Sequence, residues 1–164
     1  MRGMLAAVFI TGPPDIMLKI PSRLLTISSV TLLAALSFNT AHAQQTLPVS
    51  RFSVGINVIE AEVAATEPQR EQGLMNRKQL GTNQGMMFIF DRPFGYCMWM
   101  KNTLLPLSVA FLDKEGIILN IEEMLPQTEA THCAAKAALY ALEMSAGWFK
   151  AKGIKAGSKI ELLK

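Results

Sequence analysis

Gly85-Met86-Met87-Phe88-Ile89-Phe90 is the stretch that decides the fold. Its length suits a strand, and alternation sends Met86, Phe88 and Phe90 to one face and Met87 and Ile89 to the other. Both faces are apolar, so the strand must lie inside its sheet and be covered on both sides. Working outward, Asp91-Arg92-Pro93 and Gly95 predict a turn, and residues 96–101 the next strand. Residues 107–112 form another, Asp113-Lys114-Glu115-Gly116 a four-residue turn, and residues 117–122 the antiparallel return. Upstream, residues 51–57 and 58–64 read as a hairpin, with Ile59, Ala61 and Val63 alternating against Glu60 and Glu62. Thr66-Glu67-Pro68-Gln69 is a capping box that starts a short helix at Glu67, stopping near Gly73. Downstream, 126–136 is loose and polar, 139–144 extended, 147–152 a helical turn or two, and 159–163 a last strand. The Ala-rich segment 131–144 also suits a helix, and apolar runs this short leave that alternative open. Seven or eight short strands with little helix make the chain mainly β: an antiparallel sandwich or partly closed barrel with one or two short helices.

The amino-terminal part reads as a targeting signal, not fold. Lys19 and Arg23 precede an apolar run of about 15 residues, 24–38, and Ala41-His42-Ala43 supplies a small-residue cleavage site. That run is shorter than the about 20 residues a bilayer span needs. Residues 1–43 are therefore expected to be a signal peptide, with Met17 a plausible true start because Pro13, Pro14 and Asp15 interrupt what precedes it. Residues 44–164 are expected to be one exported domain, periplasmic or extracellular, with no membrane span after cleavage. Removing the leader leaves 13 Lys and Arg against 12 Asp and Glu, a balance of about +1. Binding to nucleic acid needs a concentrated basic face, which such a balance does not supply.

Cys97 and Cys133 both fall in the mature chain. In an oxidising compartment an even pair favours a disulfide. Closing a loop of about 37 residues would stabilise the fold by roughly 4 kcal/mol. Two free buried thiols, or redox or metal chemistry, are the alternatives. His132 is the one histidine of the mature chain and no C-x-x-C is present, so a zinc site would need unusual ligands. No metal and no cofactor is expected.

Five motifs occur in order: G-L-M-x-R (73–77), G-M-M-F-I-F (85–90), W-M-K-N-T-L-L-P-L (99–107), F-L-D-x-x-G (111–116) and L-E-M-x-A-G (142–147). Together they resemble the bacterial and archaeal family known as domain of unknown function 192, over nearly the whole mature chain. The resemblance implies a small, mostly-β, jelly-roll-like domain, often exported, and no established reaction, substrate or cofactor. Where that family commonly has an acidic residue after Pro-Leu, this chain has Ser108.

The densest chemistry lies at 96–106, where Trp99 stands near a single cation, Lys101, followed by Asn102 and Thr103. An aromatic plate beside hydrogen-bonding side chains suits a sugar or another small polar ligand. The same residues also suit a core Trp99, a Lys101 that snorkels along it, and a turn shaped by Asn102 and Thr103. Arg77 and Glu143 sit on apolar segments, so they are expected either to pair with each other or to serve as anion clamp and general base. The expectation is that Arg77, Lys101, Asn102 and Glu143 converge on one pocket. His132 adjoins Cys133, but neighbours on a strand point to opposite faces and make a poor Cys-His nucleophile.

Three functions follow from these residues. The first is a non-enzymatic envelope module binding a small polar ligand, carbohydrate included, or a partner protein through the 99–103 rim. The second is a hydrolase-like enzyme using Glu143 with Arg77 or Lys101. The third is a copper-handling protein through the thioethers of Met98 and Met100, which share a face.

Overall fold

The two apolar faces of 85–90 demand a middle position, and the strand has one. A computed structural model describes residues 46–163; the expected leader, the start at Met17 and the cleavage site after Ala43 lie outside them. The elements run β1 (Val49–Val54), β2 (Asn57–Ala64), α1 (Glu67–Gln72), β3 (Gln84–Phe94), β4 (Cys97–Met98), β5 (Leu107–Leu112), β6 (Ile118–Met124), β7 (His132–Cys133), β8 (Ala138–Ser145), α2 (Trp148–Ala151) and β9 (Ile160–Leu162). Seven strands form one sheet in the order β6-β5-β8-β3-β2-β1-β9, curled into a half-barrel with β3 at its middle. This is the partly closed barrel expected from the sequence. The two-sheet alternative needs a second large sheet, and the described residues hold only the β4–β7 ribbon beside the first.

Three local expectations are corrected, and one open alternative is settled. The sheet is not wholly antiparallel: β2 and β3 run parallel. Parallel neighbours need a crossover, and α1 with the turn after it supplies one. β3 continues through Asp91-Arg92-Pro93 to Phe94, shifting its register against β8 after Ile89. Of residues 96–101 only Cys97 and Met98 pair as strand. Beyond them the chain bends, because the Met100 amide bonds Thr128 O and the Thr103 amide bonds Met100 O. Segment 131–144 is extended in two pieces, β7 and β8, which settles it against the helix.

Each face of the sheet carries its own apolar cluster. Ile59, Ala61, Met87, Leu112, Leu142 and Met144 lie on one, with Trp148 and Phe149 of α2 packed over them. Ala64, Leu74, Met86, Phe88, Val109 and Phe111 lie on the other. Gly85 permits the seam between β3 and β8. A Cβ there would meet the Glu143 carbonyl oxygen and the Met144 sulfur. The β4–β7 ribbon is closed by a Cys97–Cys133 disulfide, whose residues face each other in register, and no described cysteine is free. No helix among the described residues is long and apolar enough to cross a membrane.

Two outcomes are expected. Gly85→Ala should cost about 1–3 kcal/mol by overpacking, because a backbone carbonyl cannot step aside as a flexible side chain would; urea denaturation measures it. Replacing both cysteines by serine should remove about 4 kcal/mol, and unfolded, unreduced wild-type protein should show no titratable thiol.

Candidate functional site

Strand pairing builds the site. Met86 of β3 and Val109 of β5 both pair with Glu143 of β8, so its carboxyl projects from an apolar row in the middle of the sheet. The same row continues to Glu62 of β2 and Glu122 of β6, each two strands away from Glu143. Glu143 is 4% exposed. Among the described residues no hydrogen bond or ion pair reaches its side chain. Burial, with no compensating partner, raises its pKa from 4.5 to about 8. At neutral pH it is therefore mostly a neutral acid, able to donate one hydrogen bond and accept others.

Glu143 lines a cleft of about 400 Å³ whose base includes Phe88 and Phe90. One wall is α1 with residues 73–75; the other is Tyr96, Cys97, Met98, Trp99 and Thr103. Each wall is anchored by identifiable contacts. The Gln69 side chain accepts from the amides of Ala65 and Thr66, as the capping box predicts. Arg70 then ties α1 to β3, donating from Nη1 to Ala65 O at 2.6 Å and Ile89 O at 2.9 Å, and pairing through Nη2 with Asp91 at 3.2 Å. On the far wall the Tyr96 ring stacks on Phe90, centroids 3.7 Å apart, and the disulfide fastens β4.

The six expected site residues divide. Trp99, Thr103 and Glu143 line the cleft; Arg77, Lys101 and Asn102 do not. Arg77 pairs with Glu62 at 2.6 Å instead of Glu143, and its Nε is buried without a partner. Lys101 lies 5.4 Å from the Trp99 ring centroid and 3.8 Å from Glu129. Asn102 takes a left-handed conformation, φ 57°, and its carbonyl accepts from the Asn76 amide, so it braces a bend. The expected convergence of Arg77, Lys101, Asn102 and Glu143 is thus overturned. Trp99, 47% exposed, is not core. Arg70, Glu67, Glu71, Asp91 and Tyr96 line the cleft unforeseen; the capping box located α1 but gave no sign of what it faces.

Other candidates fall to structural roles. The disulfide consumes the Cys133 thiol beside His132. Met100 is fully buried and Met98 packs on the same apolar cluster, so a copper ion could reach the pair only by opening that core. Ser108 shares its face with Ala110 and Met144, opposite Glu143. Its hydroxyl donates to the Glu123 carboxylate at 2.8 Å and accepts from the Gly147 amide at 2.8 Å. The departure at Ser108 therefore leaves the cleft untouched, and a carboxylate from the neighbouring strand stands beside it. A second cleft of about 440 Å³ opens near Phe52, Val63 and Tyr140. Its walls are mostly apolar, and the ions that line it pair with each other, Lys159 with Glu161 and Lys114 with Glu115.

Fold and site together define a half-barrel domain with an acid-floored cleft on one sheet face. The pattern of DUF192, described as an uncharacterized ACR, matches residues 50–162, and the chain belongs to that family. A crystal structure of a proposed transcription regulator from Sinorhizobium meliloti 1021 is 34% identical, with a TM-score of 0.70, over 73% of this chain and 97% of that one. A protein of unknown function from Novosphingobium aromaticivorans DSM 12444 is 33% identical, with a TM-score of 0.69, over 73% of this chain and 89% of that one. No curated protein matches this chain.

The raised Glu143 pKa has a measurable consequence. Because the folded value exceeds the unfolded one, folding takes up a proton between pH 4.5 and about 8. The associated stability is complete below that window and is lost as pH rises through it, with a slope approaching about 1.4 kcal/mol per pH unit. Thermal melts should show a lower Tm at pH 8.5 than at pH 5. Glu143→Gln, neutral throughout, should flatten the difference.

Proposed function

We propose that this DUF192 protein is an exported, non-enzymatic binding module that takes a small polar ligand, carbohydrate included, in the cleft floored by Glu143. One observation carries the reading: a carboxyl nine-tenths buried, unpartnered among the described residues, opening onto a cleft with an aromatic wall. A hydrogen-bonding ligand in the cleft would give that carboxyl the partner that the fold does not supply. Trp99 and Tyr96 offer flat apolar surfaces, and Thr103 adds a hydroxyl. Export is supported by the A-x-A leader and by the disulfide.

The hydrolase reading loses its expected partners, since Arg77 is engaged by Glu62 and Lys101 by Glu129. A partner protein seated on the lip is the second reading; exposed Phe94, Trp99 and Leu104 favour it. The name given to the Sinorhizobium protein suggests nucleic acid, but the near-neutral charge of residues 44–164 gives that reading no electrostatic support.

A thermal-shift panel of monosaccharides, amino sugars and short glycans tests the proposal. At a hundred times its Kd a ligand adds about 2.7 kcal/mol, a rise of several degrees in Tm. The rise should vanish in Trp99→Ala and Glu143→Gln and persist in Lys101→Ala. A response that survives both cleft substitutions would place binding elsewhere.

A further inference from the structure

We infer that the ligand of this cleft is an organic cation, an ammonium group on a small ring such as an amino sugar, seated with its charge at the Glu143 carboxyl. The inference rests on the cleft's being a ligand site, and it adds the ligand's charge. The cleft is unequally charged. Its lining holds four carboxyl groups, Glu67, Glu71, Asp91 and Glu143, against one cation, Arg70. That cation is already spent, its guanidinium held by Asp91 and by the carbonyls of Ala65 and Ile89. Among the described residues neither Glu67 nor Glu71 has an ionic partner, and both are exposed on α1 at the mouth. An anionic ligand would enter against this field, whereas a cation is drawn in.

The walls suit the same class. Phe88, Phe90, Tyr96 and Trp99 bring aromatic rings to the cleft. The π faces of such rings attract cations, the more so as water is excluded. Trp99 already accepts one cation, with the Lys101 ammonium 5.4 Å from its ring centroid. Glu143 supplies what the rings cannot, a full counter-charge at the base.

Proton balance follows from its surroundings. Cross-strand, Glu143 faces only Met86 and Val109. Glu62, two strands along the row, is bonded to Arg77, and Glu122 lies two strands the other way. From α1 come Glu67, Arg70 and Glu71, from β3 Asp91, and from the lip Tyr96. No free cation opposes the carboxyl, so without ligand it keeps its proton at neutral pH, in line with a pKa near 8. An arriving ammonium makes ionisation favourable. The Glu143 O–H bond breaks, the proton leaves to solvent, and the carboxylate accepts hydrogen bonds from the ammonium. Binding therefore releases up to one proton per ligand.

Benzylamine and benzyl alcohol test this, since they share a ring and differ in charge. Isothermal titration at pH 6.5, in two buffers of different ionisation enthalpy, gives affinity and proton count; backbone amide shifts locate the site. Benzylamine should bind at least tenfold tighter than benzyl alcohol, shift amides of residues 73–75 and 96–103, and release close to one proton. Glu143→Gln should abolish the release and most of the preference. Glu71→Gln, on the exposed face of α1, should weaken benzylamine about two- to threefold with the fold intact, so the inference stays testable if the buried substitution unfolds the protein. Equal or tighter binding of benzyl alcohol in the cleft would overturn the cation while leaving the cleft a ligand site. Benzylamine binding with no proton released would overturn Glu143 as the counter-ion. If neither compound moves the cleft amides, both the cation and the cleft reading fall.

Discussion

The seam between β3 and β8 is the constraint on which the rest of the molecule depends. It joins the central strand to one of its two neighbours, both covered on both faces, and Gly85 lets their backbones approach where a side chain would strike the Glu143 carbonyl. Its register sets Met86 beside Glu143. A slip of one residue would turn Glu143 to the opposite cluster and Leu142 into the cleft. The same hydrogen bonds that hold the half-barrel together therefore put a carboxyl in an apolar row, where little water solvates its charge and, among the described residues, no partner replaces it.

Two further devices turn that row into a cleft. Arg70 spends both terminal nitrogens of its guanidinium on holding α1 and β3 together, and its pair with Asp91 neutralises the one positive charge among the residues that line the cleft. The disulfide holds the short β4–β7 ribbon, which has too few ladder bonds to stay extended unaided. The walls thus stand apart over Phe88 and Phe90 because each is tied to its own support. The Arg70–Asp91 pair cancels one charge of each sign and the disulfide adds none. Glu67 and Glu71 then leave the cleft acidic.

Much of the fold was legible in the residues. The two-sided 85–90 strand, the hairpin before α1, the capping box and the Cys97–Cys133 pair each carry a local physical signal, whether alternation, a cap or an even cysteine count. The extension of β3 to Phe94 was not legible, because Asp91-Arg92-Pro93 reads as a turn and an edge-like end tolerates it. The parallel β2–β3 pair was hidden as well, since a six-residue helix resembles a turn more than a crossover. Of the residues that line the cleft, Trp99, Thr103 and Glu143 were among those that residue chemistry had singled out as candidates. Arg77 and Lys101 were misplaced because a charge on an apolar segment shows the need for a partner without saying which carboxylate meets it.

By itself the sequence determined most of the strand pattern and the family, because alternation, cap spacing and motif order are properties of neighbours along the chain. Only the tertiary structure decided that Glu143 stands alone while Arg77 goes to Glu62, and that Arg70 rather than Lys101 borders the cleft. Those outcomes turn on register between strands far apart in sequence, where one residue of shift exchanges a buried acid for a buried leucine.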